Sequence, residues 1–275
     1  MKQPASSNVA AETIATYVNE SRIVVVSESL LGRQLGKVQN EGSLHYMMSK
    51  FKKALPGSDA EAFISYCSQE MTSSVCKNIA SKTEDQALSP LWREMRYGRI
   101  TASKLYEASR CSTTEGSLVN AILGASKVKN NVAMERGIRL EKDVLKEVER
   151  KLRTKINRSG LILMPENPIF GASPDGISEN AVFEVKCPVS EKSFKTYFND
   201  DETMPADKYL AQIMLQMYMC NKDLGFFCVA RPCFEKSKDI LILKVVYNEA
   251  WLQSVMIKAK EFWISSLFPK LNVSA

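Results

Sequence analysis

The 275-residue sequence predicts an α/β (α+β) protein in which helices flank a central run of short strands. Apolar residues recur at helical spacing in three long segments, at 132–152, 207–219 and 250–267. Shorter segments rich in β-branched and aromatic residues occur among them, at 161–164, 169–172, 181–186, 226–231 and 240–246. The order of these segments predicts a mixed α/β core in the second part of the chain.

The first 85 residues form a separate helical segment in this prediction, because the polar stretch 81–90 is typical of a linker. We expect helices at 10–17, 44–55 and 60–80 and a short strand at 22–26. No motif with catalytic chemistry occurs there. We therefore divide the chain into a helical N-terminal segment, residues 1–85, and a second domain, residues 86–275.

Composition narrows the class of protein. Hydrophobic residues make up 45% and charged residues 25% of the chain, as in ordinary globular proteins, and no apolar run approaches the roughly 18 residues of a membrane span. The seven cysteines are scattered, so we expect reduced thiols in an intracellular compartment, the nucleus or the cytoplasm. The single histidine, His45, argues against a histidine-rich zinc site and a Ser-His-Asp triad.

Positive charge is concentrated in one region of the sequence. The formal net charge is +6, and residues 127–158 contain eleven Lys and Arg against five Asp and Glu. We expect this region to contact phosphates without regard to sequence, so that nucleic-acid binding weakens steeply with salt.

The segment Ala181–Lys186 places charged side chains on a predicted strand. Side chains alternate between the faces of a strand, so Glu184 and Lys186 share one face while Val185 points into the core. The alternative is an exposed strand with a solvated polar face. Cys187 falls on the face opposite Lys186, and we interpret it as a packed residue.

Asp175 precedes this strand in a Pro-Asp-Gly turn, and a hairpin return brings it beside Glu184. Two neighbouring carboxylates repel unless a cation lies between them, and oxygen ligands suit Mg²⁺ or Mn²⁺. A lysine nearby handles a proton or a phosphate, so the set suits metal-assisted phosphodiester cleavage. The alternative for Asp175 alone is a turn-forming aspartate.

Glu141 occupies an apolar-face position on the predicted helix 132–152. The apolar stripe that contains it consists of Met134, Ile138, Leu145, Val148 and Leu152. A carboxylate at such a position needs a partner. We favour the metal site over an arginine such as Arg96.

Two glutamines lie one turn apart on the predicted helix 207–219. Gln212 is expected to orient an attacking water or to hold a scissile phosphate. Gln216 is interpreted as an ordinary polar position on the rim of the helix.

The segment from Trp92 to Ser103 combines arginines, a glycine and hydroxyls. The guanidinium fork matches a phosphate, and Thr101 and Ser103 are candidate helix caps at a phosphate-binding helix start. From this segment alone, a plain cap with solvated arginines is the alternative that we favour.

Five motifs in the right order resemble the lambda-type exonuclease (YqaJ-like) family of PD-(D/E)xK nucleases, including viral or virus-derived alkaline exonucleases. They are W-R-E-M-R-Y-G-R-I-T-A-S from Trp92, G-x-x-x-E from Gly137, S-P-D-G from Ser173, E-V-K-C-P from Glu184 and Y-L-A-Q from Tyr209. The resemblance implies a restriction-endonuclease-like core, a central mixed β-sheet flanked by helices. It also implies Mg²⁺-dependent digestion of double-stranded DNA from a 5′ end.

The resemblance assigns metal ligands residue by residue. Asp175 and Glu184 match metal ligands, with the carbonyl of Val185 as a further ligand, and Glu141 matches a ligand of a second metal, directly or through water. Two Mg²⁺ ions, or Mn²⁺, are thus implied for each site.

The same resemblance assigns the remaining roles. Lys186 matches the residue that positions or deprotonates the water, and a lysine base predicts better activity at alkaline pH. Gln212 matches a residue that assists at the scissile phosphate or the lysine. Arg96, Ser103 and Ser173 match positions that hold the terminal 5′ phosphate.

We therefore expect a metal-dependent 5′-to-3′ exonuclease of linear double-stranded DNA, acting in recombination, repair or viral DNA processing. The family also implies a single-strand annealing protein as partner and a homo-oligomer, often a ring-shaped trimer. The alternatives are a structure-specific endonuclease or junction resolvase with the same core, and a non-catalytic DNA-binding protein. The chain departs from the family in its first 85 residues, which the minimal enzyme lacks, and in the residues that follow Gln212.

Overall fold

The computed structural model describes residues 41–124 and 132–274. The predicted helix at 10–17 and strand at 22–26 lie outside the described residues, as does part of the basic region. Within the described residues no helix is both long and apolar enough to cross a membrane.

Helices make up most of the described chain. In order they are α1 Leu44–Ala54, α2 Ala60–Glu70, α3 Ser73–Lys82, α4 Pro90–Arg96, α5 Leu105–Arg110, α6 Ser117–Ile122, α7 Val132–Leu152, α8 Glu191–Lys195, α9 Asp207–Met219, α10 Phe234–Ser237, α11 Glu249–Phe262 and α12 Phe268–Ser274. A 3-10 turn, Ala102–Lys104, precedes α5, and a π-helical turn, Trp263–Leu267, joins α11 to α12.

The strands form two sheets. They are β1 Ile100–Thr101, β2 Phe170–Gly171, β3 Gly176–Ile177, β4 Ala181–Lys186, β5 Leu224–Ala230 and β6 Ile240–Val246. Strands β1 and β2 pair in parallel. The main sheet has the order β3-β4-β5-β6, in which β4 and β5 are parallel and the two outer pairs are antiparallel. The predicted mixed sheet flanked by helices is confirmed.

Strand β4 is buried on both faces, which determines where its charged residues lie. Phe183, Val185 and Cys187 pack in a cluster with apolar residues of α7. Val182, on the opposite face, belongs to the larger core that includes α9. The face that carries Glu184 is therefore covered by α9, so the alternative of an exposed, solvated strand does not hold.

Two predicted elements differ from the structure. The helix predicted at 60–80 is interrupted at Met71 and Thr72, because Met71 turns into the core and the Thr72 hydroxyl accepts a hydrogen bond from the N–H of Val75 at 3.2 Å, which starts α3. The segment 161–164 forms a single bridge, Ile162 to Ala172, rather than a strand.

The N-terminal helices α1 to α3 share the larger hydrophobic core with the rest of the described chain. At one contact point, Gly160 lies so close to α3 that a Cβ there would collide with the carbonyl oxygen of Ala80. The Thr83 hydroxyl accepts a hydrogen bond from the N–H of Leu161 at 2.8 Å next to this contact. The described part of the N-terminal segment is thus integrated into the fold.

Arg99 ties this segment to the sheet region. Its side chain is 1% exposed, and burial lowers its pKa to about 10. The guanidinium donates to three backbone carbonyls, of Pro168 at 2.8 Å, Met95 at 2.5 Å and Gly42 at 2.6 Å. The arginine therefore satisfies carbonyl oxygens from three separate parts of the chain.

Replacing Arg99 by Ala is expected to lower the free energy of unfolding by about 3 kcal/mol or more, because buried carbonyls lose their donor and a cavity remains. Urea unfolding followed by circular dichroism measures this loss. Arg93→Ala is the control, since exposed Arg93 donates to a single carbonyl and its loss is expected to stay within about 0.5 kcal/mol. Equal effects of the two substitutions would contradict the role given to Arg99.

Candidate active site

Glu184 is the centre of a buried polar cluster between β4 and α9. Its carboxylate is only 2% exposed, yet each oxygen has a donor. Lys186 Nζ donates to Oε1 at 2.5 Å, Gln212 Nε2 donates to Oε1 at 2.7 Å, and Gln216 Nε2 donates to Oε2 at 2.6 Å. A buried carboxylate is retained only with such partners. The alternation predicted for the strand is confirmed, since Glu184 and Lys186 meet on one face.

Gln216 was expected on the rim of its helix, and that expectation is wrong. The residue is fully buried, because α9 is covered on almost every side and the four-residue step from Gln212 points both amides at Glu184. Its Oε1 is buried without a hydrogen-bond partner among the described residues. A buried acceptor without a hydrogen-bond donor is uncommon in folded proteins. This end of the cluster is therefore more polar than packing alone requires.

Asp175 is brought against β4 by the turn that enters β3. Its backbone N–H donates to the carbonyl of Phe183 at 3.1 Å, and its Oδ2 accepts from the N–H of Val185 at 2.7 Å. Burial, and then the negative charges of Glu184 and Glu141, raises the pKa of Asp175 well above its usual value. The predicted hairpin return is therefore present, and it leaves the aspartate in the field of two other carboxylates.

Glu141 faces the same cluster from α7, although the predicted stripe around it is wrong in part. The buried residues of α7 are Leu140, Val144 and Val148, whereas Ile138 is 62% exposed, because the helix meets the sheet only from Leu140 onward. Glu141 is half-buried. Burial, and then the charge of Glu184, raises its pKa.

Arg96 is not among the residues whose charge acts on Glu141. The cations that oppose its raised pKa are Arg158, Lys186 and Lys142. The arginine alternative considered for this position therefore does not apply to Arg96.

Lys186 is a half-buried ammonium rather than a neutral amine. Burial alone would lower its pKa, but the charges of Glu184 and Asp175 outweigh burial and raise it. The ammonium lies 5.7 Å from the ring centroid of Tyr209, whose ring is tilted by 37° against that of Tyr197 at a centroid distance of 4.8 Å. Tyr209 was part of the motif Y-L-A-Q but had no predicted role, and Tyr197 was not singled out in the sequence.

Cys187, on the opposite face, is buried, and burial raises its pKa to about 12. A thiol with so high a pKa is a poor nucleophile at neutral pH, so its interpretation as a packed residue is confirmed.

The carboxylates of Asp175, Glu184 and Glu141 are oxygen ligands of the kind that a hard cation binds, but they do not form a complete metal-binding cluster. Over residues 41–124 and 132–274, no group of three or more His, Cys, Asp and Glu side chains converges closely enough to hold a metal ion. Yet the charges of Glu184 and Glu141 raise the pKa of Asp175, and the charge of Glu184 raises the pKa of Glu141. A bound Mg²⁺ or Mn²⁺ would relieve the repulsion between these carboxylates.

The three residues expected to hold a terminal phosphate are joined by hydrogen bonds and by one cation–π contact. Trp92 Nε1 donates to Ser173 Oγ at 2.9 Å, and the Arg96 guanidinium stacks on the Trp92 ring at 3.8 Å from its centroid. Arg96 Nη2 donates to Thr101 Oγ1 at 3.5 Å, and that oxygen lies 3.3 Å from Ser103 Oγ. Trp92, which joins two of the three, was part of the motif but had no predicted role.

Arg96 is a half-buried cation that belongs to none of the ion pairs formed by the described residues. Burial lowers its pKa to about 10, so it still carries its charge at neutral pH. The expected helix cap is wrong, because the Thr101 hydroxyl faces Arg96 and Ser103 instead of capping the turn that follows. The plain-cap alternative fails for the same reason, and the arrangement suits an anion.

The basic region is less available than its composition suggests. Among its described residues, Arg136 and Arg139 pair with Glu235, Arg150 pairs with Glu147 and Arg158 pairs with Asp85. Residues 127–131 of this region lie outside the described chain. Several of its arginines are therefore already neutralised by neighbours.

Known protein structures resemble this fold. At 21% identity, an alkaline exonuclease (LHK-Exo) from Laribacter hongkongensis matches 67% of this chain and 95% of its own, with a TM-score of 0.57. A SOX–DNA complex matches 99% of this chain and 87% of its own at 14% identity and a TM-score of 0.51. A complex of KSHV SOX with RNA matches 98% and 96% at 12% identity and a TM-score of 0.54. Because the SOX–DNA match covers 99% of this chain, it includes α1 to α3. The LHK-Exo match covers a smaller share, 67%.

No protein with a curated description matches the sequence significantly. A family model described as the YqaJ-like viral recombinase domain matches residues 91–223. That range contains the whole cluster from Arg96 to Gln216. The resemblance inferred from the five motifs is thereby confirmed, since residues 91–223 match the YqaJ-like viral recombinase domain.

Proposed function

We propose that this protein is a metal-dependent nuclease that hydrolyses phosphodiester bonds of linear double-stranded DNA from a 5′ end. The observation that carries the proposal is the buried Glu184 carboxylate, held by Lys186, Gln212 and Gln216 beside two further carboxylates. Structures that share the fold support it, since one is named an alkaline exonuclease and others are SOX complexes with DNA or RNA.

Asp175, Glu184 and Glu141, with the carbonyl of Val185, would hold two Mg²⁺ or Mn²⁺ ions. When bound, the metal supplies an activated water and stabilises the charge that develops on the phosphate. Gln212 and Gln216 keep the Glu184 carboxylate in one orientation, as residues behind a metal ligand commonly do.

Lys186 acts in this proposal as a hydrogen-bond donor. With no metal bound, Glu184 and Asp175 raise its pKa, and as an ammonium it donates a hydrogen bond to Glu184. An ammonium at this position holds a phosphate oxygen or the attacking water in place. We therefore favour the positioning role over the role of general base.

The network of Arg96, Trp92, Ser173, Thr101 and Ser103 supplies the preference for an end. A half-buried guanidinium without a carboxylate partner, with hydroxyls beside it, suits a terminal phosphate dianion. An endonuclease or junction resolvase does not need such a site, so the network favours the exonuclease. The annealing partner, the ring-shaped trimer and an intracellular role in recombination, repair or viral DNA processing belong to the same proposal.

Lys186→Ala is expected to abolish degradation of linear duplex DNA in Mg²⁺ while leaving DNA binding in EDTA within about threefold, because a donor to the reacting phosphate is lost but most phosphate contacts remain. Gel assays with linear and closed circular DNA, each with Mg²⁺ or EDTA, measure this. Degradation of the closed circle would contradict the exonuclease proposal, and a fully active variant would contradict the role of Lys186.

Arg96→Ala is expected to remove discrimination between 5′-phosphorylated and 5′-hydroxyl duplex ends, because the cation that neutralises the phosphate is gone. We expect kcat/KM on the phosphorylated end to fall by about tenfold or more, and on the hydroxyl end to change little. Arg93→Ala, an exposed arginine on the same helix α4, is the matched control. The proposal fails if both substitutions lower the two activities equally.

Mg²⁺ is expected to raise the melting temperature by about 5 °C at saturation, and the rise should grow with pH from about 5 to 8. The raised pKa values of Asp175 and Glu141 mean that the metal-free fold holds their protons more tightly than the unfolded chain does. These two carboxyl groups therefore stabilise the metal-free fold at low pH, and this stabilisation is lost as the pH rises through their pKa values in the folded protein. Above those pKa values the carboxylates are ionised, so Mg²⁺ binds without displacing protons.

Differential scanning fluorimetry over this pH range, with and without Mg²⁺, measures the effect. Asp175→Asn should abolish the Mg²⁺-dependent rise, whereas Asp143→Asn, an exposed carboxylate on α7, should retain it. A rise that is independent of pH, or that survives in Asp175→Asn, would contradict the assignment of the metal ligands.

A further inference from the structure

A cavity of about 410 Å³ lies outside the proposed catalytic cluster, between α5, the start of α9 and α11. Its walls include two aromatic side chains, Tyr106 and Trp251, and two cations, Arg110 and Lys258. Asp207 contributes the carboxylate in the wall. The cavity is polar and open to solvent on one side, so it is not a defect of core packing.

Contacts within the cavity hold its groups in place without neutralising the cations. The Tyr106 hydroxyl donates to Asp207 Oδ2 at 3.2 Å, and the Arg110 guanidinium lies 5.6 Å from the Tyr106 ring centroid. Neither Arg110 nor Lys258 belongs to an ion pair formed within residues 41–124 and 132–274. Two exposed cations beside two aromatic faces thus remain available to a ligand.

The cavity shares chain segments with the proposed sites. Tyr106 follows Ser103, of the phosphate network, by three residues, and both the turn Ala102–Lys104 and α5 pack against α9. Asp207 precedes Gln212 on α9 by five residues, a rise of about 7.5 Å. Residues of the cavity and of the proposed sites therefore lie on the same chain segments.

We propose that this cavity binds one nucleotide of single-stranded DNA, an inference that rests on the proposed function. The base lies against Trp251 and Tyr106, and Arg110 and Lys258 contact its phosphate. Aromatic faces combined with basic side chains are the usual composition of a single-strand site, because every base has a face to stack. Asp207 makes a simple anion such as inorganic phosphate a poorer ligand, whereas the bases carry N–H groups that can donate a hydrogen bond to a carboxylate.

The phosphate contacts are tested with a fluorescent 5′-phosphorylated single-stranded oligonucleotide, by anisotropy, on the Lys186→Ala protein in EDTA and fixed salt. Adding Arg110→Gln and Lys258→Gln together should weaken binding by about tenfold or more. Lys236→Gln with Lys244→Gln is the matched control, since it removes two exposed cations from α10 and β6, away from the cavity. Equal losses in both double variants would overturn the proposal.

Stacking is tested separately with Trp251→Leu and Trp251→Phe. The leucine variant should bind the oligonucleotide about tenfold more weakly, and phenylalanine should restore most of the affinity because it keeps a ring. Loss of affinity in both, with an unchanged melting temperature, would overturn stacking on Trp251. If neither substitution changes the affinity, the cavity is not the binding site.

The source of the nucleotide is tested with dAMP and inorganic phosphate as competitors. Displacement of the oligonucleotide by dAMP at similar concentration assigns the site to released product, and displacement only by longer strands assigns it to the DNA strand. Displacement by inorganic phosphate alone would overturn recognition of a base.

Wild-type cleavage of linear duplex DNA is assayed in parallel. If cleavage is present but the cavity variants bind like their control, the cavity proposal alone fails. If cleavage is absent but they bind weakly, the proposed function alone fails.

Discussion

The burial of the Glu184 carboxylate on β4 is the constraint on which the site depends. A charge on a strand that is covered on both faces is stable only when donors surround it. Lys186 supplies one from the same strand, and Gln212 and Gln216 supply two from α9. The two amides also determine how α9 lies against the sheet, and this helix in turn places Tyr209 beside the lysine and begins at the wall of the cavity.

The site also depends on parts of the chain that carry no catalytic residue. Arg99 joins carbonyls of Gly42, Met95 and Pro168, and the last of these stands just before β2, which leads to Ser173 and Asp175. The described N-terminal helices pack on the same core. Their loss would remove support from the strand that presents the phosphate network, so the part of the segment from residue 41 onward has a structural role whatever else it binds.

The local sequence pattern predicted the helices and strands whose apolar residues recur at regular helix or strand spacing. The bounds of α7, α9, β4 and β6 follow from the sequence, as does the hairpin that returns Asp175 to β4. Gln216 and Trp92 were missed because their roles depend on partners far along the chain, Glu184 and Ser173. The stripe on α7 was misjudged because periodicity shows which face is apolar but not how far along the helix the sheet extends. Residue spacing cannot supply that length.

The most direct test of this account is the substitution Glu184→Gln, which keeps the shape of the side chain and removes its charge. The measurement is the Mg²⁺-dependent release of nucleotides from a linear 5′-phosphorylated duplex by protein whose circular dichroism is native. The account predicts a loss of at least about a hundredfold in rate, together with loss of the Mg²⁺-dependent rise in melting temperature. Cleavage at the wild-type rate by natively folded Glu184→Gln protein would contradict it.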